Sequence, residues 1–175
     1  PTETHQAVRE TVRQFGQDEL EPQAAEHDEA ERFNEALFRR LGSELNLFGI
    51  TVPEEEGGIG LDPAAAVIVC EELSRFDPGL GLSYLAHEVL FVNNFYFASN
   101  DEQKKRFLQK TLSGEHVACM CMTEPNVGTD VIGMTTHARL DGDHYVLNGQ
   151  KAPITNAPEA QLFLVYAKVD GRITA

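Results

Sequence analysis

Apolar residues in the first two thirds of the chain recur with the spacing of amphipathic helices. Val8, Val12 and Phe15 lie on one face of a first predicted helix, which we expect Pro22 to end or to kink. Asn34 is a favourable N-cap for a second helix. The stripe that follows this cap comprises Leu37, Leu41, Leu45 and Phe48.

Two Asp-Pro pairs predict the starts of further helices. Asp62–Pro63 and Asp77–Pro78 each place an N-cap residue before a first-turn proline. Residues 49–62 read as a loop from their Gly, Pro and Glu content. The run from Leu80 to Phe97 is apolar on most sides, which predicts a helix buried in the centre of a bundle. A charged helix is expected from about Asp101 to Leu112.

The periodicity changes at Val117, after which short β-type runs alternate with turns. Thr135–Leu140 and His144–Leu147 flank Asp141–Gly142, a hairpin signal. A further strand is expected over Gln161–Lys168. The pattern predicts a mainly α chain, with an α-helical domain over residues 1–116 and part of a β-domain over residues 117–175.

Composition narrows the class of protein. The chain has 175 residues and a net charge of −14, so a nucleic-acid partner is not expected. No apolar run approaches the roughly 18 residues of a membrane span, and none is expected. Three cysteines without zinc spacing indicate a reducing compartment, either the cytoplasm or the mitochondrial matrix, and no metal site. We expect Cys70, Cys119 and Cys121 to be small buried hydrophobic residues.

Two short segments partly match motifs of other enzyme classes, but each lacks a residue that its motif requires. Gly79-Leu80-Gly81 lacks the third glycine of a dinucleotide-binding loop, because Tyr84 stands in its place. His87–Glu88 is not a zinc-protease helix, because Phe91 replaces the second histidine.

Two polar, Gly- and Pro-punctuated segments remain. Cys121–Asp130 reads CMTEPNVGTD and Tyr145–Asn156 reads YVLNGQKAPITN. Turns of this kind beside short strands can present backbone N–H groups and hydroxyls to a ligand. Their sequences resemble the flavin-contacting segments of the acyl-CoA dehydrogenase family, M-T-E-P-x-x-G-[ST]-D and L-N-G-x-K-x-[WF]-I-[TS]-N.

The resemblance extends over essentially the whole chain and implies a fold and an activity. Members of the family have an N-terminal helical bundle, a β-barrel-like middle domain and a C-terminal four-helix domain. This chain resembles the first domain followed by the first strands of the second, with the C-terminal domain absent. The family uses FAD to convert an acyl-CoA to an enoyl-CoA, passes electrons to an electron-transfer flavoprotein, and forms homotetramers or homodimers.

The resemblance also implies site residues. Met122 and Thr123 would meet the pyrimidine edge of the flavin, Gly128 would let the backbone approach the phosphates, and Thr155 would lie near flavin N5. The implied cofactor contacts are Met120, Met122, Thr123, Gly128, Thr129, Pro153, Ile154 and Thr155. The implied substrate contacts are Thr129 and, at the floor of an acyl pocket for short or medium chains, Tyr84, Leu85 and Glu88.

The chain departs from the family pattern at Pro153, where Trp or Phe is usual, and at Ala157, where Gly is usual. Proline has no aromatic ring and no N–H, so we expect weaker flavin packing or easier access of oxygen. The family's usual catalytic glutamate lies outside this chain. Glu88 is a candidate base, although we favour a Glu88 that faces solvent or pairs with His87.

Two alternatives to a dehydrogenase stay open. The departure at Pro153 also suits an acyl-CoA oxidase-like flavoenzyme that passes electrons to oxygen. Together with the missing base, it suits a flavin-free, non-catalytic interaction module of the same fold.

Overall fold

A computed structural model of the chain describes residues 2–175. Its first part is helical. The α-helices are α1 (Glu3–Phe15), α2 (Glu21–Glu29), α3 (Glu35–Ser43), α4 (Pro63–Ser74), α5 (Pro78–Leu85), α6 (Asn94–Ala98) and α7 (Asp101–Leu112). π-Helical segments over Gly16–Leu20 and Ala86–Asn93 join α1 to α2 and α5 to α6, and short 3₁₀ turns cover Glu54–Glu56 and Val131–Gly133.

Local capping chemistry sets the helix starts. The side chain of Asn34 accepts a hydrogen bond from the Leu37 N–H at the start of α3. Asp62 and Asp77 cap α4 and α5 in the same way, each before a proline in the first turn. These three starts confirm the sequence prediction, because a cap needs only residues within one turn of each other.

Two details of the helical part differ from the prediction. The helical backbone does not end at Pro22, because the π-helical segment precedes it and Pro22 occupies the first turn of α2, where its missing N–H is tolerated. The helix α3 ends at Ser43, so Leu45 and Phe48 follow it rather than extend its stripe, yet both still pack in the core.

The predicted helix over 80–97 is present as α5, the π-helical segment and α6. The prediction that this helix is buried on most sides is wrong for one face. On that face, Leu82 is 53% exposed and Phe97 is 72% exposed. The opposite face carries Tyr84, His87 and Glu88, all of which are buried.

Six strands follow the helices: β1 (Ala118–Cys121), β2 (His137–Asp141), β3 (His144–Asn148), β4 (Leu162–Val165), β5 (Ala167–Val169) and β6 (Arg172–Thr174). The strands β1 and β4 pair in parallel, and a second sheet has the order β3-β2-β5-β6. The antiparallel β2–β3 hairpin confirms the turn predicted at Asp141–Gly142. The single strand predicted over Gln161–Lys168 is divided at Tyr166, so that β4 and β5 join different sheets. These sheets do not close into a barrel within residues 2–175.

A buried ion pair joins α1 to α4 beside the main core. The side chain of Glu72 is 0% exposed and accepts from Arg13 Nε and Nη2, each at 2.9 Å, and from Arg9. The burial expected for Cys119 and Cys121 is confirmed, whereas Cys70 is only half-buried.

None of the helices described here is long and apolar enough to cross a membrane.

Candidate functional site

The two polar segments lie side by side in the structure. The Ala152 N–H donates to the Thr123 carbonyl oxygen at 3.1 Å. The Lys151 ammonium donates to the Met122 carbonyl oxygen at 2.8 Å. Residues about thirty positions apart in sequence therefore form one surface at the end of β1.

This surface carries hydrogen-bond donors without partners inside the chain. The backbone N–H groups of Met122, Thr123 and Gly128 donate to no other residue within 2–175. A Cβ built on Gly128 would meet nothing within 4 Å, so the space beside it is open to a ligand. Backbone amides and hydroxyls are the donors that suit the phosphates and the carbonyl edge of FAD.

The two acidic residues of the first segment are both engaged within the chain, Glu124 in a buried position and Asp130 in an exposed one. The Asp130 carboxylate caps the short turn Val131–Gly133. The Glu124 side chain is 3% exposed and lies against Lys151, whose side chain is 9% exposed. The buried carboxylate of Glu124 is therefore neutralised by Lys151 and does not face the donor set.

Glu124 is held as a carboxylate by a set of donors. Its Oε2 accepts from the Thr135 N–H and hydroxyl, each at 2.7 Å, and its Oε1 accepts from the Thr136 N–H at 2.8 Å. Burial alone would raise the pKa of Glu124, but the hydrogen bonds from Thr136 and Thr135 outweigh it and hold that pKa well below its usual range.

The second segment is anchored by Asn156. This residue has a left-handed φ of 68° and is buried. Its Nδ2 donates to the Ser83 carbonyl oxygen at 2.9 Å and lies 3.4 Å from the Ala118 carbonyl oxygen. Thr155 and Pro153, next to this anchor, are exposed, and the Ala152–Pro153 peptide bond is cis. The anchor fixes where the predicted contacts at 153–155 lie.

His87 links the helices to the first strand. Its Nε2 donates to the Thr111 carbonyl oxygen at 3.0 Å, and its Nδ1 accepts from the Ala118 N–H at 3.1 Å. These partners fix the neutral tautomer with a proton on Nε2. Burial lowers the pKa of His87 to about 4.

The expectation that Glu88 faces solvent or pairs with His87 is wrong. Glu88 is 1% exposed, and its carboxylate accepts from the Gly49 N–H at 2.6 Å and the Ile50 N–H at 2.8 Å. Burial raises the pKa of Glu88 to about 7, although these hydrogen bonds oppose the shift. The donors are backbone N–H groups of the loop at 49–50, and no local sequence pattern predicts that they contact Glu88.

The predicted acyl-pocket residues separate into two environments. Leu85 and Glu88 line a cavity of about 370 Å³ between α4 and the π-helical segment, whose wall is mostly apolar. Tyr84 lies outside it, fully buried and stacked on Phe48 at 6.1 Å between ring centroids. None of the predicted cofactor residues lines this cavity.

Sequence reasoning assigned no role to Glu124, Lys151 or Asn156. The signal was present, since all three lie within the two segments quoted for the resemblance. Their partners at Thr135, Thr136 and Ser83 are distant in sequence, so only the fold shows what they hold.

Comparisons with known proteins give one family for the whole chain. Residues 2–115 match the model of the acyl-CoA dehydrogenase N-terminal domain, and residues 119–174 match that of the middle domain. Mitochondrial isovaleryl-CoA dehydrogenase of Bos taurus is 44% identical over 96% of this chain and 40% of its own length. Short-chain specific acyl-CoA dehydrogenase of the same species is 40% identical, with the same two coverages.

A solved structure agrees. An acyl-CoA dehydrogenase from Bacillus anthracis, complexed with FAD, superposes with a TM-score of 0.91 at 38% identity over 100% of this chain and 30% of its own. The chain thus spans about 40% of the length of the curated relatives it matches.

Proposed function

The chain belongs to the acyl-CoA dehydrogenase family, and on that premise we propose that the complete polypeptide is an FAD-dependent enzyme that converts an acyl-CoA to an enoyl-CoA. The observation that carries this proposal is the meeting of the two polar segments, with unpartnered amides at Met122, Thr123 and Gly128 on one surface. We propose that the chain comprises a helical domain over 1–116 and a partial β-domain over 117–175.

The residues present fit FAD by the chemistry of their donors. Those that would hold it are Met120, Met122, Thr123, Gly128, Thr129, Pro153, Ile154 and Thr155. FAD would supply a two-electron acceptor that no amino-acid side chain provides. The chain itself supplies unpartnered backbone donors, an open approach at Gly128 and an anchored second segment.

For the substrate, we propose a short or branched acyl-CoA. The relatives named for isovaleryl and short-chain substrates support this. The proposed substrate contacts are Thr129, Leu85 and Glu88, whereas the predicted contact Tyr84 is fully buried against Phe48 and is not among them. Because the Glu88 carboxylate is engaged by two backbone N–H groups, we assign the catalytic base to the family's usual glutamate, outside this chain.

The remaining features of the proposal follow the family. We propose an electron-transfer flavoprotein as the electron acceptor and a homotetramer or homodimer as the assembly. For the compartment we propose the cytoplasm or, in a eukaryote, the mitochondrial matrix, in line with the mitochondrial relatives.

Pro153 favours a second candidate, an oxidase-like enzyme that passes electrons to oxygen. It is exposed on the proposed cofactor surface and offers no aromatic ring to cover a flavin. A flavin-free interaction module of the same fold is the third reading.

The test is an absorbance spectrum of the purified complete polypeptide, followed by anaerobic mixing with isovaleryl-CoA or butyryl-CoA. A flavin band that the substrate bleaches, with slow recovery in air, supports the dehydrogenase. Rapid recovery with hydrogen peroxide release supports the oxidase. A protein that takes up no FAD on titration refutes both flavoenzymes.

A further inference from the structure

Lys151 contacts the first polar segment, Cys121–Asp130, from inside the protein. Its ammonium donates to the Met122 carbonyl oxygen at 2.8 Å and to Glu124 Oε1 at 3.0 Å. Its third neighbour is the Met134 sulfur at 4.0 Å. With 9% of the Lys151 side chain exposed and 3% of the Glu124 side chain exposed, the pair is shielded from water on nearly every side.

The carbonyl that Lys151 holds belongs to the same peptide unit as the Thr123 N–H. A peptide unit is planar, so fixing the Met122 oxygen also fixes the direction in which the Thr123 N–H points. A cation on the carbonyl oxygen polarises the amide and makes its N–H a stronger donor, as in chains of hydrogen bonds. The next carbonyl, that of Thr123, is held by the Ala152 N–H at 3.1 Å.

The position of Lys151 depends in turn on Glu124. The Glu124 carboxylate is fixed by Thr135 and Thr136 through three donors between 2.7 and 2.8 Å. Its remaining strong partner is the Lys151 ammonium. These contacts therefore link residues 135–136, which immediately precede β2, through Glu124 and Lys151 to the Met122–Thr123 peptide.

We propose that Lys151, held by Glu124, is a positioning residue that orients and polarises the Met122–Thr123 peptide towards the bound flavin and so raises its affinity and its reduction potential. This rests on the proposed function, in which the Thr123 N–H meets the pyrimidine edge of FAD. A donor aimed at that edge favours added negative charge on the ring, and the buried ammonium behind it strengthens the effect at low dielectric.

The test uses the complete polypeptide as holoprotein and as apoprotein, with Lys151→Met, Glu124→Gln and Glu72→Gln. Glu72→Gln is the matched control, because Glu72 also forms a buried ion pair but joins α1 to α4 in the helical part. The readouts are the Kd of FAD for the apoprotein, the flavin absorption spectrum, its reduction potential by dye equilibration, and Tm.

We expect Lys151→Met to weaken FAD binding about tenfold, by analogy with the loss of a hydrogen-bond partner behind a metal ligand, and to shift the potential to more negative values. Glu124→Gln should shift both in the same direction but less, because Lys151 can still reach the Met122 oxygen. Glu72→Gln should lower Tm and leave the Kd, spectrum and potential of the flavin unchanged.

The outcomes separate this inference from the function on which it rests. Wild-type protein that takes up no FAD overturns both. Wild-type protein that binds FAD, with Lys151→Met equal to it in Kd, spectrum and potential, overturns the positioning role alone. If Lys151→Met does not fold, Glu124→Gln decides in the same way. Changes in Kd and potential that Glu72→Gln reproduces at equal loss of Tm also overturn the role.

Discussion

His87 and Glu88 are neighbours in the π-helical segment Ala86–Asn93, and replacing either one should reveal the titration of the other. Both are buried, with exposures of 0% and 1%. Burial lowers the pKa of His87 from 6.5 to about 4 and raises the pKa of Glu88 from 4.5 to about 7. The two groups therefore change the stability of the fold in opposite directions over the same range of pH.

The sign follows from which state holds more protons. Unfolded His87 takes up a proton near pH 6.5 and the folded form only near pH 4, so stability falls as pH drops through that window. Folded Glu88 keeps a proton up to about pH 7 that the unfolded form loses near pH 4.5, so stability falls as pH rises between them. Each shift corresponds to about 3 kcal/mol at full extent, and in the wild type the two largely offset each other.

Glutamine is a suitable replacement at both positions. In His87→Gln the amide can still accept from the Ala118 N–H and donate to the Thr111 carbonyl, but it does not titrate. In Glu88→Gln one backbone N–H at Gly49 or Ile50 loses its acceptor, a cost of about 1–3 kcal/mol that does not vary with pH. The variants are therefore compared by how their free energy of unfolding changes with pH, and not by its absolute value.

The assay is urea unfolding of the apoprotein, followed by circular dichroism from pH 4 to pH 7. His87→Gln should lose stability relative to wild type as pH rises from about 4 to 6.5, and Glu88→Gln as pH falls from about 7 to 4.5, because each difference follows the titration of the group that was removed. Paired carboxylates elsewhere, such as Glu72 and Glu124, are common to all three proteins and cancel in the difference. Differences from wild type that stay constant across this range would refute the opposing titrations.

Three further predictions concern the strands and the second polar segment. Asn156→Ala should lower the free energy of unfolding by about 2–3 kcal/mol through a lost hydrogen bond and a left-handed φ, and Asn156→Gly should recover about 1 kcal/mol of it in urea titrations. Gly149→Ala would place a Cβ 2.7 Å from the Thr136 Cα and should cost about 2 kcal/mol or more, whereas Gly142→Ala, with nothing within 4 Å, should cost about 1 kcal/mol; equal losses of Tm would contradict this contrast. Pro153→Phe should tighten FAD binding and slow reoxidation of the reduced protein by air, measured by apoprotein titration and stopped flow; unchanged values would show that residue 153 does not cover the flavin.

Features encoded within one helical turn or one hairpin were predictable from the sequence. The caps at Asn34, Asp62 and Asp77 and the hairpin at Asp141–Gly142 all depend on residues a few positions apart. Each is confirmed, because the backbone donors and the side chains that satisfy them are neighbours in the chain.

Features that depend on distant partners were not predictable. The segment Gln161–Lys168 is divided at Tyr166 because its first half pairs with β1 and its second half pairs with β2. The burial of Glu88 depends on the backbone at 49–50, and periodicity cannot show that this loop turns its N–H groups inward. The wrong expectation for Glu88 assumed that a charged residue in an apolar helix must find solvent or a charged neighbour.

The proposed cofactor surface keeps its shape with proline at position 153. The second segment is fixed on either side of that residue, by Lys151 and the Ala152 N–H before it and by Asn156 after it. None of these contacts uses the side chain or the N–H of residue 153, so the missing N–H of proline breaks no link in the framework. Loss of the aromatic ring therefore changes what covers the flavin while the donors of Met122, Thr123 and Gly128 stay in place. Flavin binding and the choice of electron acceptor are thus separable properties of this surface, and substitution at 153 alone should change the second more than the first.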